Sequence, residues 1–295
     1  MFLTKQKQTP CLILQLLVIV KPISYNMKKH GFKKIYLFLS SVFIFMLHLP
    51  FVFAKYRPLE AFRPTENKLE TFTTKDSIPA LSPVNTENIV SDIYDSLRLN
   101  LIGLSHQAFQ MAMQGFDYLS KAGKIANDNI ISIVDFSQPS SKKRLFVIDL
   151  EKREVLFNTY VAHGINSGKE YANQFSNRPE SNKSSLGFYE TMNTYNGKNG
   201  YSLHLQGLEK GINDKADSRA IVIHGAGYVN ESFIKSQGYI GRSQGCPAVP
   251  EKLHKPIINK IKNGTCLFIY SPNKNYFIQS RVLKEATAMA FNSKN

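Results

Sequence analysis

From about Ile130 the hydrophobic period becomes that of strands, and this constrains the fold most. Ile131-Ser132-Ile133-Val134-Asp135 and Leu145-Phe146-Val147-Ile148-Asp149 are short runs rich in β-branched and aromatic residues. Val155 to Ala162 is a third run, and the charged turn Glu151-Lys152-Arg153 before it predicts a hairpin. Residues 163–218 are rich in Gly, Asn and Ser, and read as long loops with short strands near Gly187–Met192 and Tyr201–Leu205. Ala220 to His224 is a further strand, and Thr265 to Tyr270 is expected to close the sheet. Leu253 to Ile261 reads as a helix entered through Pro250. The sum is a mainly β domain over about residues 130–275, without an internal repeat, followed by a C-terminal tail over 276–295.

The segment 86–129 reads differently. Asn88 to Leu99 predicts an amphipathic helix with Ile89, Ile93 and Leu97 on one face. A second helix starts after Ser105, an N-cap residue, and aligns Phe109, Ala112, Met113, Phe116 and Leu119. Gly123 ends it. These helices form a small lead-in, so the class is α+β with a dominant sheet. Residues 55–85 hold four prolines among Thr, Lys and Glu, the composition of an extended linker.

Met27-Lys28-Lys29-His30-Gly31-Phe32-Lys33-Lys34 precedes an apolar stretch from Ile35 to Phe53, then Ala54. Positive start, apolar middle and small residues before the cut are the parts of a signal peptide over 27–54, and an uncleaved anchor is the alternative. Residues 1–26 then read as an over-called start, with a membrane hairpin as the rival. The expected location is the periplasm or cell envelope, with membrane contact only through this N-terminal signal or anchor. Seven lysines in residues 1–54, with no acid, supply nearly half of the formal net charge of +15. The remaining basic residues are interspersed with acids, which argues against a nucleic-acid partner. The sequence sets no oligomeric state.

Cys246 lies in Gly241-Arg242-Ser243-Gln244-Gly245-Cys246-Pro247, 22 residues after His224 in Ile223-His224-Gly225. A thiol beside a flexible glycine, with a histidine at a strand end, is the pattern of a nucleophile and its base. Backbone N–H groups around residues 244–246 could converge on an oxyanion. A Cys246–Cys266 disulfide is the structural alternative, although Cys266 sits in an apolar run that reads as a buried strand. His163 either lines the cleft or bonds within its loop. His204 points to solvent or to the cleft. His106 and His254 read as surface residues. Arg242 either clamps a substrate carboxylate or holds the loop by a salt bridge. Tyr228 and Tyr239 either wall the cleft or pack. There is no zinc-binding spacing, so no metal or cofactor is expected.

These residues resemble the murein L,D-transpeptidase catalytic domain family, of the YkuD type. The likeness is strongest to the branch reading G-R-S-x-G-C-P. It extends to Thr159–Gly168, to Phe175-Ser176-Asn177 and to Ser184–Tyr189, and covers about residues 88–272. The resemblance implies a β-sandwich or barrel-like catalytic domain. It implies Cys246 as acyl-accepting nucleophile, His224 as base and then acid, Ser243 as a loop-shaping residue, and the Gly245 and Cys246 N–H groups as oxyanion hole. It implies peptidoglycan stem peptides as substrate and thiol reactivity toward carbapenems; from the residues themselves, Arg242, Gln244, Tyr228 and His163 are the candidates for substrate binding. Much of the family has histidine where this chain has Gln244, which cannot titrate near neutrality. A hydrolase using water as acceptor, and a non-catalytic wall-binding module with a structural disulfide, are the alternatives.

Overall fold

The computed structural model describes residues 86–292. They belong to one compact unit. The start site, signal and linker expected within residues 1–85 lie outside the described residues.

Helix α1 (Thr86–Ser96) ends where Arg98 turns left-handed at φ +50°, three residues before the expected helix would have run out past Leu99. Its inner face is Val90, Ile93, Tyr94 and Leu97 rather than the expected stripe, for Ile89 is 42% exposed. The Tyr94 hydroxyl reaches the core by donating to the Leu104 carbonyl at 2.6 Å. Helix α2 (His106–Lys121) begins as predicted: Ser105 Oγ accepts from the Ala108 N–H at 3.1 Å. Phe109, Ala112, Phe116 and Leu119 are buried along its face.

The strands are β1 (Ile130–Asp135), β2 (Leu145–Asp149), β3 (Glu154–Thr159), β4 (Gly187–Gly197), β5 (Gly200–Gly207), β6 (Val222–Ala226), β7 (Ala248–Pro250) and β8 (Cys266–Tyr270). They form one sheet in the order β3-β2-β1-β8-β4-β5-β6-β7. Only β1–β8 and β6–β7 pair in parallel. The expectation that Thr265–Tyr270 closes the sheet is corrected: β8 lies between β1 and β4. Every residue of β1 and β8 is buried, so both faces of this centre are covered, which is why these runs are apolar without alternation. The β4–β5 hairpin is longer than expected, because exposed polar residues extend it past Met192.

Closure comes from the two ends of the strand order. Beyond β3 the chain stays extended and bonds to the segment leading into β7. The Ala162 N–H donates to Ala248 O at 2.8 Å, the Ser243 N–H to His163 O at 2.9 Å, and the Ile165 N–H to Ser243 O at 2.7 Å. The sheet therefore curls until its first and last members meet, giving the barrel-like form expected. This seam holds the cysteine loop.

Helix α3 (Glu231–Gln237) follows β6, and α4 (His254–Ile261) packs on β5, β6 and β1. The expected tail over 276–295 is instead helical through Asn292. Helix α5 (Lys274–Gln279) and helix α6 (Arg281–Asn292) bury Tyr276, Val282, Leu283 and Ala286, and α6 packs on α2. A buried carboxylate fastens them. Glu209 accepts from the Tyr276 hydroxyl at 3.0 Å, from the Ser280 hydroxyl and from the Phe188 N–H at 3.0 Å.

Candidate active site

Cys246 ends a tight loop between β6 and β7. Gly245 before it has φ +125°, which side chains rarely adopt. A Cβ there would also lie 2.9 Å from the Lys183 carbonyl oxygen. Ser243 holds the turn from within: its Oγ accepts from the Gly245 N–H at 3.1 Å and donates to the Cys246 carbonyl at 2.6 Å. Ser243 thus bridges the turn from residue 243 to residue 246. One expectation is corrected here. The Gly245 N–H is bound to Ser243 and is not open to an oxyanion. The Cys246 N–H faces its own sulfur.

Ser184 braces the loop from a second side. Its hydroxyl accepts from the Gly164 N–H at 3.0 Å and donates to the Gly245 carbonyl at 3.1 Å. The distant stretches 159–168, 184–189 and 241–246 therefore form one structure. His163 belongs to that brace and not to a cleft wall, for it is fully buried. Arg144 Nη2 donates to His163 Nδ1 at 2.7 Å, so the proton sits on Nε2, which donates to Gly168 O at 3.2 Å. Burial and the neighbouring guanidinium push His163 down to about 3. Arg144, itself fully buried, also bonds the Val161 and Gln138 carbonyls and lies 4.7 Å from the centre of the Phe136 ring.

Among the described residues both cysteines, Cys246 and Cys266, are free, which removes the disulfide between them as an alternative. Cys266 is fully buried in β8. Cys246 is 9% exposed, and its Sγ donates to the Ala220 carbonyl at 3.6 Å. Ala220, just before β6, is left-handed at φ +52°, an uncommon backbone for a residue with a side chain. Burial pushes the thiol above its ordinary range, while the Val222 N–H and Arg219 pull it back.

His224 lies on β6 opposite Ala248 of β7, two residues beyond Cys246. Its Nδ1 is 3.0 Å from the Gly225 carbonyl, an acceptor only, so Nδ1 carries the proton and Nε2 is the free base. Burial lowers its pKa, which keeps the ring neutral. Gly225 has a packing reason: a Cβ would meet the His254 ring at 2.7 Å. His254, expected at the surface, is half-buried against this pair because α4 packs on β6. Its charge would oppose that of His224.

The remaining expected residues divide. Tyr228 lies near enough to Cys246 to feel its charge, and burial first, then that thiolate, raise it to about 12. Arg242 donates to Gly168 O at 3.2 Å and Ile165 O at 3.4 Å, so it ties loops together without a carboxylate partner. Its guanidinium is 5.7 Å from the Tyr239 ring. Gln244 is exposed. His204 is part-exposed, stacks on Tyr195 and faces Asp217 at 3.6 Å. Sequence reasoning missed Arg144, Ser184 and Arg219. Ser184 stood inside a matched stretch, whereas Arg144 and Arg219, apart from the Arg144 bond to Gln138, act on segments 17 to 43 residues away and leave no local pattern.

No curated protein matches the chain. Among solved structures, the chain is similar to an L,D-transpeptidase from Mycobacterium smegmatis, with 12% identity and a TM-score of 0.30, over 48% of this chain and 59% of that one. It is similar to L,D-transpeptidase 1 from Mycobacterium tuberculosis, with 11% identity and a TM-score of 0.28, over 48% and 62%. It is also similar to an L,D-transpeptidase from Stackebrandtia nassauensis, with 15% identity and a TM-score of 0.29, over 56% and 68%. The chain thus spans about three fifths of the length of the first two. The sequence profile of the L,D-transpeptidase catalytic domain matches residues 101–270 and takes in the lead-in helix α2, the seam and the cysteine loop. That match covers more than half of the chain, which therefore belongs to the L,D-transpeptidase catalytic domain family.

Proposed function

We propose that the protein is an exported peptidoglycan L,D-transpeptidase whose nucleophile is Cys246. The observation that carries the reading is a free, nearly buried thiol on a strained glycine turn beside the strand that bears a neutral, tautomer-fixed histidine.

The thiol turns from Ala220 toward His224, whose Nε2 takes the proton. The sulfur attacks the carbonyl of the third residue of a tetrapeptide stem, the L-centre of its diamino acid. The carbon–sulfur bond forms as the carbonyl electron pair moves to oxygen, where the Cys246 N–H can meet it. The oxyanion collapses and the peptide bond to D-alanine breaks. The imidazolium returns its proton to the leaving amine, leaving a thioester. An amine of a neighbouring stem then attacks, its proton passes through His224 to the sulfur, and a cross-link results. Neither step calls for a metal or redox cofactor. The low pKa of His224 suits this role, because a base must start unprotonated.

Incubation with disaccharide-tetrapeptide muropeptides, read by mass spectrometry, tests the reading. Cross-linked dimer with loss of D-alanine is expected, and none from Cys246→Ala. Tripeptide without dimer would make water the acceptor and the protein a carboxypeptidase.

A further inference from the structure

Arg219 has no part in the reaction above, yet it lies against the nucleophile loop. It is half-buried in the turn just before β6. Its Nη2 donates to the Lys183 carbonyl at 2.6 Å and to Ser181 Oγ at 3.3 Å. Its Nη1 donates to the Ser176 carbonyl at 2.8 Å and to Ser185 Oγ at 3.3 Å. The same Nη2 is 3.4 Å from the point where a Cβ on Gly245 would stand. All four partners are neutral oxygens. Among the described residues no carboxylate forms a salt bridge with this guanidinium, so its charge is not cancelled at contact.

We propose that Arg219 is a positioning residue for Cys246: it clamps segment 176–185 against the nucleophile loop and supplies the positive charge that favours the thiolate once the proton has passed to His224. The inference rests on the reading of Cys246 as nucleophile. A buried sulfur has lost the water that would stabilise its anion, and a nearby fixed cation replaces part of that stabilisation. Arg219 and Cys246 favour each other's charged form. Of the other cations on these segments, Arg242 bonds the Gly168 and Ile165 carbonyls and Lys183 Nζ donates to Gln174 Oε1 at 2.8 Å, and Arg219 alone acts on the Cys246 thiol. Tyr228, after β6, is held neutral by burial, as is Tyr189 beneath Arg219. His224 on β6 is neutral until it accepts the proton, and His254 of α4 faces His224.

The test is the pH profile of iodoacetamide alkylation at Cys246, read on the Cys246 peptide by mass spectrometry, in the full chain. Arg219→Gln is expected to raise the midpoint by about one pH unit, or about tenfold in rate below it. Arg219→Lys, which keeps the charge but not the fork, is expected to retain most of the parental midpoint. A parental midpoint in Arg219→Gln would overturn the proposal. So would a Lys variant shifted as far as Gln, since that would mark a role in loop structure alone. Should Arg219→Gln not fold, Arg219→Met, which keeps the length of the side chain without its charge, takes its place: a raised midpoint supports the proposal and a parental midpoint overturns it. Iodoacetamide needs no peptidoglycan, so failure here is distinct from failure of the transpeptidase reading.

Discussion

Two residues set the chemistry by what their neighbours forbid. Gly245 takes a backbone conformation that alanine resists and sits within 2.9 Å of a carbonyl oxygen at the point a Cβ would occupy. Gly245→Ala is therefore expected to destabilise the fold by about 1–3 kcal/mol and to abolish Cys246 alkylation at neutral pH; thermal unfolding and alkylation check the two parts. His163 is buried neutral, and its folded pKa of about 3 lies below its ordinary value near 6.5. The unfolded chain thus binds a proton that the folded chain refuses. Stability is whole above pH 6.5 and falls as pH drops from 6.5 toward 3, at up to ~1.4 kcal/mol per pH unit. His163→Gln should flatten that acid limb of the melting temperature; an equally steep limb would contradict the assignment. At this scale the placement of Cys246, His224 and Ser243 was legible, because a loop thiol, a strand-end histidine and a loop serine sit in short local motifs. The oxyanion role of Gly245 was misread, and of the two readings left open for His163 the loop-bonding one describes it. Their N–H and ring are bound by Ser243 and Arg144, and only the folded chain brings those partners together.

Among the elements, the cysteine loop depends on a seam between two segments far apart in sequence. Ser243 satisfies one donor and one acceptor inside it. Ser243→Ala would leave the Gly245 N–H unpaired in a buried turn, at about 1–3 kcal/mol, while the Cys246 carbonyl would keep only the Ala248 N–H as donor. Faster amide exchange at Gly245, with the sheet unchanged, is the expected sign. The strands were legible because β1, β2 and β8 are apolar runs bounded by turns, and α2 because Ser105 caps it. The place of β8 was not. Its sequence shows that it is buried on both faces, but a buried run fits any central position, and the pairing partners lie on β1 and β4. The face of α1 was rotated because Ile89 and Val90 both fit a helical stripe, and only packing on α2 chooses Val90.

For the molecule as a whole, the family profile stops at residue 270 while the folded body continues through α6. The segment named only as a C-terminal tail, 276–295, forms α5 and α6 through Asn292. What fixes it is the buried Glu209, which needs Tyr276 and Ser280 as partners. A chain ending after Tyr270 would leave that carboxylate without its two hydroxyl donors, with the Phe188 N–H remaining, and expose the face of α2 under α6, so a loss of about 3 kcal/mol is expected in denaturant unfolding. An unchanged midpoint would show that the C-terminal helices are dispensable. The central claim is that Cys246 carries the acyl group. Intact-mass and peptide-level mass spectrometry of the protein, quenched in acid during reaction with a tetrapeptide muropeptide, tests it most directly. A disaccharide-tripeptide increment on the Cys246 peptide, absent from Cys246→Ala, is the predicted result. Release of D-alanine by Cys246→Ala at the parental rate, or an acyl group on any other residue, would contradict it.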